Sequence, residues 1–176
     1  DELDKAFEDA RAYRTAKSAP DAAPLNDMRW EAMLPVLDGE LPLMIDADGI
    51  QQIQAAVAFA QREGAELIIV GGYDAPMCID LLARNNVAVV ISETYRNPRR
   101  RGDYYDAPYT IAKSLSDAGI RFCIAAGGGA SNERNLPYNA ARAAAFGLSR
   151  DEALKAITLY PAEILGAGDR IGSLEN

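Results

Sequence analysis

Hydrophobic positions change their spacing along this chain, and the change divides it. Leu3, Phe7, Ala10 and Tyr13 recur at helical intervals and predict an amphipathic first helix that fades near Ser18. The stretch from Ala19-Pro20 to Pro24 reads as a loop, after which Asn26 or Asp27 caps a second helix carrying Met28, Leu34 and Leu37. Pro35 lies inside that pattern and is expected to kink or shorten the helix. Met28, Trp30 and Met33 read as ordinary helix packing, and Gly39 closes this leading segment, residues 1–39.

From residue 40 to residue 176 short apolar runs alternate with helices. The runs are Leu41–Ile45, Leu67–Val70, Val87–Ile91 and Ile120–Ala126. Asp48-Gly49-Ile50-Gln51 reads as a capping box opening a helix with Ile50, Ile53, Val57 and Ala60 inward, which Gly64 ends. A helix after Asp74 carries Met77, Leu81 and Leu82, and one with Pro108 in its first turn carries Ile111 and Leu115 and stops at Gly119. Two more helices are expected at the end, one over about Leu136–Phe146 and one capped by Ser149 with Glu152 three residues on. Continuous β-branched runs, each followed by a helix, predict parallel strands buried on both faces. Four strand–helix units fit a small open doubly wound sheet or half of an eight-stranded barrel, and periodicity does not separate the two.

Composition narrows the chemistry. The 176 residues carry 26 Asp+Glu against 18 Lys+Arg, a formal charge of −8, which argues against nucleic-acid and anionic-membrane partners. There is no histidine, which excludes a Ser-His-Asp triad, a Cys-His pair and any His-ligated zinc site within this chain. Two cysteines, Cys78 and Cys123, sit in apolar patterns and read as buried free thiols. No uninterrupted apolar stretch reaches the roughly 18 residues that a membrane span needs. The acidic start lacks a hydrophobic signal region, and both ends read as cut.

The last forty residues carry a family resemblance. Arg134-Asn135-Leu136-Pro137-Tyr138-Asn139-Ala140-Ala141, Ala145-Phe146-Gly147-Leu148-Ser149, Glu152–Gly166 and Asp169-Arg170-Ile171-Gly172-Ser173-Leu174-Glu175 resemble the end of an amidohydrolase-superfamily barrel, in the imidazolonepropionase-like branch. Pro35-Val36-Leu37 with Gly39-Glu40-Leu41-Pro42 is similar to the approach to that family's fifth barrel strand, so the resemblance covers most of residues 28–175. It implies half of a TIM (β/α)8 barrel, with four parallel strand–helix units equivalent to strands five to eight and two helices before them. The chain would then end just before the strand of a small β-sandwich domain.

The resemblance also implies a chemistry, and this sequence departs from it. The family's enzymes hydrolyse C–N bonds with a metal-bound hydroxide, zinc being the expected metal, while an Asp shuttles protons. The strand-five and strand-six His positions match Asp46 and Gly71, and the strand-eight Asp position falls at about Gly128. With those ligands gone and strand one outside the chain, the expectation is a catalytically inactive, metal-free fragment. Its alternatives are a scaffold or binding module for a small anionic ligand, or part of an active enzyme completed by a missing N-terminal half. A half-barrel is expected to form a homo-oligomer or to recruit that half, because its end strands are unpaired.

Candidate ligand contacts lie where the strands end: Asp46, Gly71, Glu93, Gly128 and Arg134. Asp48 and Asp74 lie there too but are read first as helix caps. The glycine runs Gly71-Gly72 and Gly127–Gly129 read first as tight strand-to-helix turns, with an anion cradle beside Arg134 as the functional alternative. Glu93 to Asp106 is long for a connection within a domain. Two roles stay open for Arg99, Arg100 and Arg101: clamping an anionic ligand, or pairing with Asp103, Asp106 and other surface acids.

Overall fold

Each β-branched run becomes a strand. The computed structural model describes residues 2–19, 26–127 and 129–173. The strands are β1 (Leu43–Ala47), β2 (Leu67–Gly71), β3 (Ala88–Ile91) and β4 (Phe122–Ile124), in one sheet of order β1-β2-β3-β4. The β2–β3 and β3–β4 pairs are parallel, with Ile68 beside Ala88 and Val90 beside Cys123. The helices are α1 (Glu2–Lys17), α2 (Met28–Glu31), α3 (Leu34–Leu37), α4 (Ile50–Glu63), α5 (Ile79–Arg84), α6 (Ala107–Asp117), α7 (Leu136–Ala145), α8 (Arg150–Lys155) and α9 (Leu159–Ile164). Four parallel strands alternating with helices form a half-barrel arrangement of α/β type.

The chain divides into two compact units, residues 1–43 with 59–66, and residues 44–58 with 67–176. In the first, α1 buries Phe7, Ala10 and Tyr13, and the Phe7 ring meets Phe59 edge-on at 5.2 Å. Leu3, the first residue of the predicted stripe, is exposed. The second predicted helix is broken into α2 and α3, with Pro35 in the first turn of α3. Neither piece fully buries a residue: Met28 is exposed, which corrects the packing read for it, while Trp30 and Met33 are half-buried. Asp27 does cap α2, accepting the Arg29 N–H at 3.0 Å.

In the second unit both sheet faces are covered. Ile69 and Val89 are fully buried on one face. On the other, Ile68, Ala88 and Cys123 cluster with Ile164 of α9, while Phe122, in register with Val89, meets the Tyr160 ring at 5.9 Å. Burial pushes the Cys123 thiol up to about 11, as expected of an inert core cysteine, and Cys78 is buried too. Toward the strand ends that same face opens. The Gly72 N–H donates to the Ala47 carbonyl at 2.9 Å, which sets Asp46 alongside the half-buried Val70, and Asp46 itself is exposed. Helix α9 is a separate piece rather than a continuation of α8, because Ala156, Ile157 and Thr158 turn between them.

Candidate functional site

Two loop systems rise from the C-terminal ends of the strands. Over β1 and β2 the start of α4 is not closed by the predicted capping box. Gln52 Oε1 accepts the Asp48 and Gly49 N–H groups at 3.1 and 2.9 Å, while Asp74, from the end of β2, accepts the Ile50 N–H at 3.2 Å. Asp48 Oδ1 accepts the Tyr73 N–H at 3.2 Å instead. Gly71 lies at φ +103, and a Cβ there would sit 2.8 Å from Asp48 Oδ1, so glycine is what lets this carboxylate lie across the strand end.

The long loop after β3 folds over these acids. Arg99 pairs with Asp48 Oδ2 at 2.7 Å, Arg96 approaches the same oxygen at 3.7 Å, and Arg100 pairs with Asp74 Oδ2. Asp103 holds the loop from within, accepting the Arg100 backbone N–H at 3.0 Å and the Tyr73 hydroxyl at 2.8 Å. The guanidiniums of Arg96, Arg99 and Arg100 stand 5.2, 5.8 and 5.7 Å from the centre of the buried Tyr73 ring. The hydrogen bond from Tyr73 holds the Asp103 carboxyl below its ordinary value, and burial raises the Tyr73 hydroxyl. Asp74 raises the Arg100 guanidinium by the hydrogen bond between them.

Over β3 and β4 the rim is built differently. Thr94 is fully buried, and its N–H donates to Asn139 Oδ1 at 2.8 Å while its hydroxyl donates to the Asn139 carbonyl at 2.9 Å. The Tyr95 N–H reaches the same Oδ1 at 3.3 Å, and Asn139 Nδ2 donates to the Asn135 carbonyl at 3.2 Å. One buried amide on α7 therefore fixes the backbone immediately after Glu93. A cleft of about 380 Å³ opens there, lined by Glu93, Tyr95, Gly127, Asn132, Asn135, Tyr138 and Asn139. A Cβ on Gly127 would stand 2.8 Å from Glu93 Oε2, so that glycine makes room for the carboxylate.

The residues singled out from the sequence are thus distributed rather than gathered. Glu93 lines the cleft; Gly71 and Asp46 belong to the other side of the rim. Arg99 and Arg100 are held by Asp48 and Asp74, so an anion would have to displace those carboxylates. Arg100 also pairs with Asp103, one of the partners the sequence offered it. Arg134 is exposed and outside the cleft lining, and Gly128 lies outside the described residues. Sequence reasoning missed Tyr95, Asn132, Asn135, Tyr138 and Asn139 as a group. The only signal was that four of them fall in or near the Asn135–Asn139 stretch that carried the resemblance.

Zinc, which the fold's enzymes imply, does not fit the residues present. Both Asp48 oxygens and one Asp74 oxygen are taken by N–H donors or guanidiniums, leaving Asp74 Oδ1 as a buried oxygen with no partner among the described residues. These two carboxylates thus leave a single oxygen between them, too few for a metal coordination shell. Among the described residues no group of three or more His, Cys, Asp or Glu could hold an ion.

No family model and no curated protein matches the chain. Solved structures do. An amidohydrolase from Thermotoga maritima MSB8 superposes with a TM-score of 0.85 at 23% identity, over 98% of this chain and 46% of that one. Another amidohydrolase matches with a TM-score of 0.61 at 19% identity, over 99% and 49%. An adenosine deaminase from Xanthomonas campestris with bound zinc matches with a TM-score of 0.52 at 23% identity, over 96% and 45%. The chain spans about half the length of each. It carries the fold of about half of an amidohydrolase barrel.

Proposed function

We propose that this chain is the second half of an amidohydrolase-type barrel, of the imidazolonepropionase-like branch, whose strand ends have exchanged a metal site for ion pairs. As it stands it does not hydrolyse C–N bonds. One observation carries the reading: Arg99 and Arg100 sit on Asp48 and Asp74, two and three residues beyond Asp46 and Gly71, the positions that match the family's metal ligands. A guanidinium contributes a fixed positive charge and directional donors, so it satisfies a carboxylate as a structural partner. It cannot lower the pKa of a bound water as a metal does, so no attacking hydroxide is generated.

Coverage of about half the matched barrels, with β1 and β4 at the two ends of an open sheet, supports a second component of the same reading. The half-barrel is completed by a further half, either a second copy or a separate segment, which pairs with those end strands. Sedimentation at increasing concentration tests it: self-association favours the copy, and a well-folded monomer that binds no hydrophobic dye contradicts both versions. Elemental analysis after equilibration with zinc and gel filtration tests the first component. Substoichiometric zinc is expected, and stoichiometric zinc with release of amide-hydrolysing activity would overturn it.

A further inference from the structure

The cleft over β3 and β4 has a chemistry of its own. Its one ionisable acid, Glu93, makes no hydrogen bond or ion pair with any described residue, although the protein goes to some length to place it. Asn139 pins the backbone of Thr94 and Tyr95 directly after it, and Gly127 withholds the Cβ that would push its carboxylate aside. Among the described residues no Lys or Arg lines the cleft. This contrasts with Asp48, Asp74 and Asp103, each of which has a guanidinium or a hydroxyl in contact.

The walls add to the case. Tyr95 and Tyr138 are 52% and 62% exposed, unusual for large aromatic side chains at the edge of a cleft. Arg142 already stands over Tyr95, 4.2 Å from its centre, so this ring serves as a platform for a cation in the protein itself. Asn132 and Asn135 supply side-chain amides, which bond neutral polar groups of either sense. The volume of about 380 Å³ falls within the range of small-molecule sites, roughly 300–1,000 Å³.

We propose that this cleft binds a small organic cation, one bearing a primary ammonium or guanidinium group, with Glu93 as the charge partner, Tyr95 and Tyr138 as aromatic walls, and Asn132 and Asn135 holding its polar remainder. The proposal goes beyond the loss of the metal site and does not depend on it. No bond is made or broken in this site; it recognises charge and shape.

The test is a titration of the ¹⁵N-labelled chain with agmatine, in the presence of a chelator so that metal binding has no part in the readout. Saturable shifts are expected in the amides of Glu93, Tyr95, Asn132 and Tyr138, and titration with glutarate, an anion of similar length, is expected to leave them in place. Glu93→Gln, which keeps the shape and removes the charge, should weaken agmatine by about tenfold or more. Tyr138→Leu should weaken it several-fold, and Glu133→Gln, a charge removed from the exposed turn outside the cleft, should leave it unchanged. Equal shifts with glutarate, no saturation with agmatine, or unchanged affinity in Glu93→Gln would each overturn the proposal.

Discussion

The two sides of one rim solve the same problem in opposite ways. Over β1 and β2 the carboxylates Asp48, Asp74 and Asp103 are closed off by arginines from a single loop and by Tyr73. Over β3 and β4 an uncharged anchor, Asn139 with Thr94, holds the chain while Glu93, beside a cleft, pairs with none of the described residues. Charge on the first side is spent on structure. Charge on the second is left available, and structure is supplied by groups that do not titrate. A side chain's charge therefore says little about its role until its partners are counted.

The largest effect should come from removing the neutral anchor. Asn139→Ala removes the Oδ1 that accepts the Thr94 and Tyr95 N–H groups, leaving the Thr94 N–H buried without that partner while its hydroxyl keeps the Asn139 backbone carbonyl, and about 2–3 kcal/mol of stability should be lost, read as a lowered urea midpoint at constant slope. A change within error would mean that the open side needs no anchor, and the contrast would fail there. On the closed side, Asp74→Ala removes the Arg100 pair and the acceptor for the Ile50 N–H. Because Arg100 is half exposed, the loss should be smaller, about 1–2 kcal/mol.

Gly127→Ala sharpens the comparison at lower cost. Its Cβ would meet Glu93 Oε2 at 2.8 Å and Glu93 Cβ at 3.0 Å, forcing a local shift worth about 1 kcal/mol. Agmatine binding should fall while the ion pairs over β1 and β2 remain. The smallest effect is one of pH. Asp103 is held below its ordinary value, so its contribution is fully present above that ordinary value and is lost as the pH falls through the depressed one. Amide protection at Arg99 and Arg100 should weaken on acidification through that window, whereas protection at Thr94 and Tyr95, anchored by amide and hydroxyl groups, should hold. Parallel loss at both places would contradict the division.

The fold was largely legible in the sequence. Leu67–Val70 is a run of apolar, mostly branched residues bounded by Glu66 and Gly71-Gly72, and it became β2 with one residue added. Ile111 and Leu115 were placed inward by spacing alone and are buried in α6. The partition after Lys155 was not legible, since Ala156-Ile157-Thr158 carries no Gly or Pro to announce a break. The site was much less so. Asp74 caps α4 from 24 residues away, where Asp48 stands closer in sequence, and no local pattern encodes such a choice. The arginines of the long loop announced a charge interaction and Asp103 as one partner, but not Asp48 and Asp74, which come from the ends of two other strands. Asn139 looked like one residue of a helical tail; its importance lies in a contact with Thr94, 45 residues earlier.

The central claim is that guanidiniums on Asp48 and Asp74, just beyond the positions that match the family's metal ligands, take the place of a metal. Crystals grown with excess zinc and measured at the zinc absorption edge test it directly. The account predicts Arg99 and Arg100 seated on Asp48 and Asp74 with no anomalous peak beside either carboxylate. An anomalous peak bridging those carboxylates, with the arginine loop turned away, would contradict it.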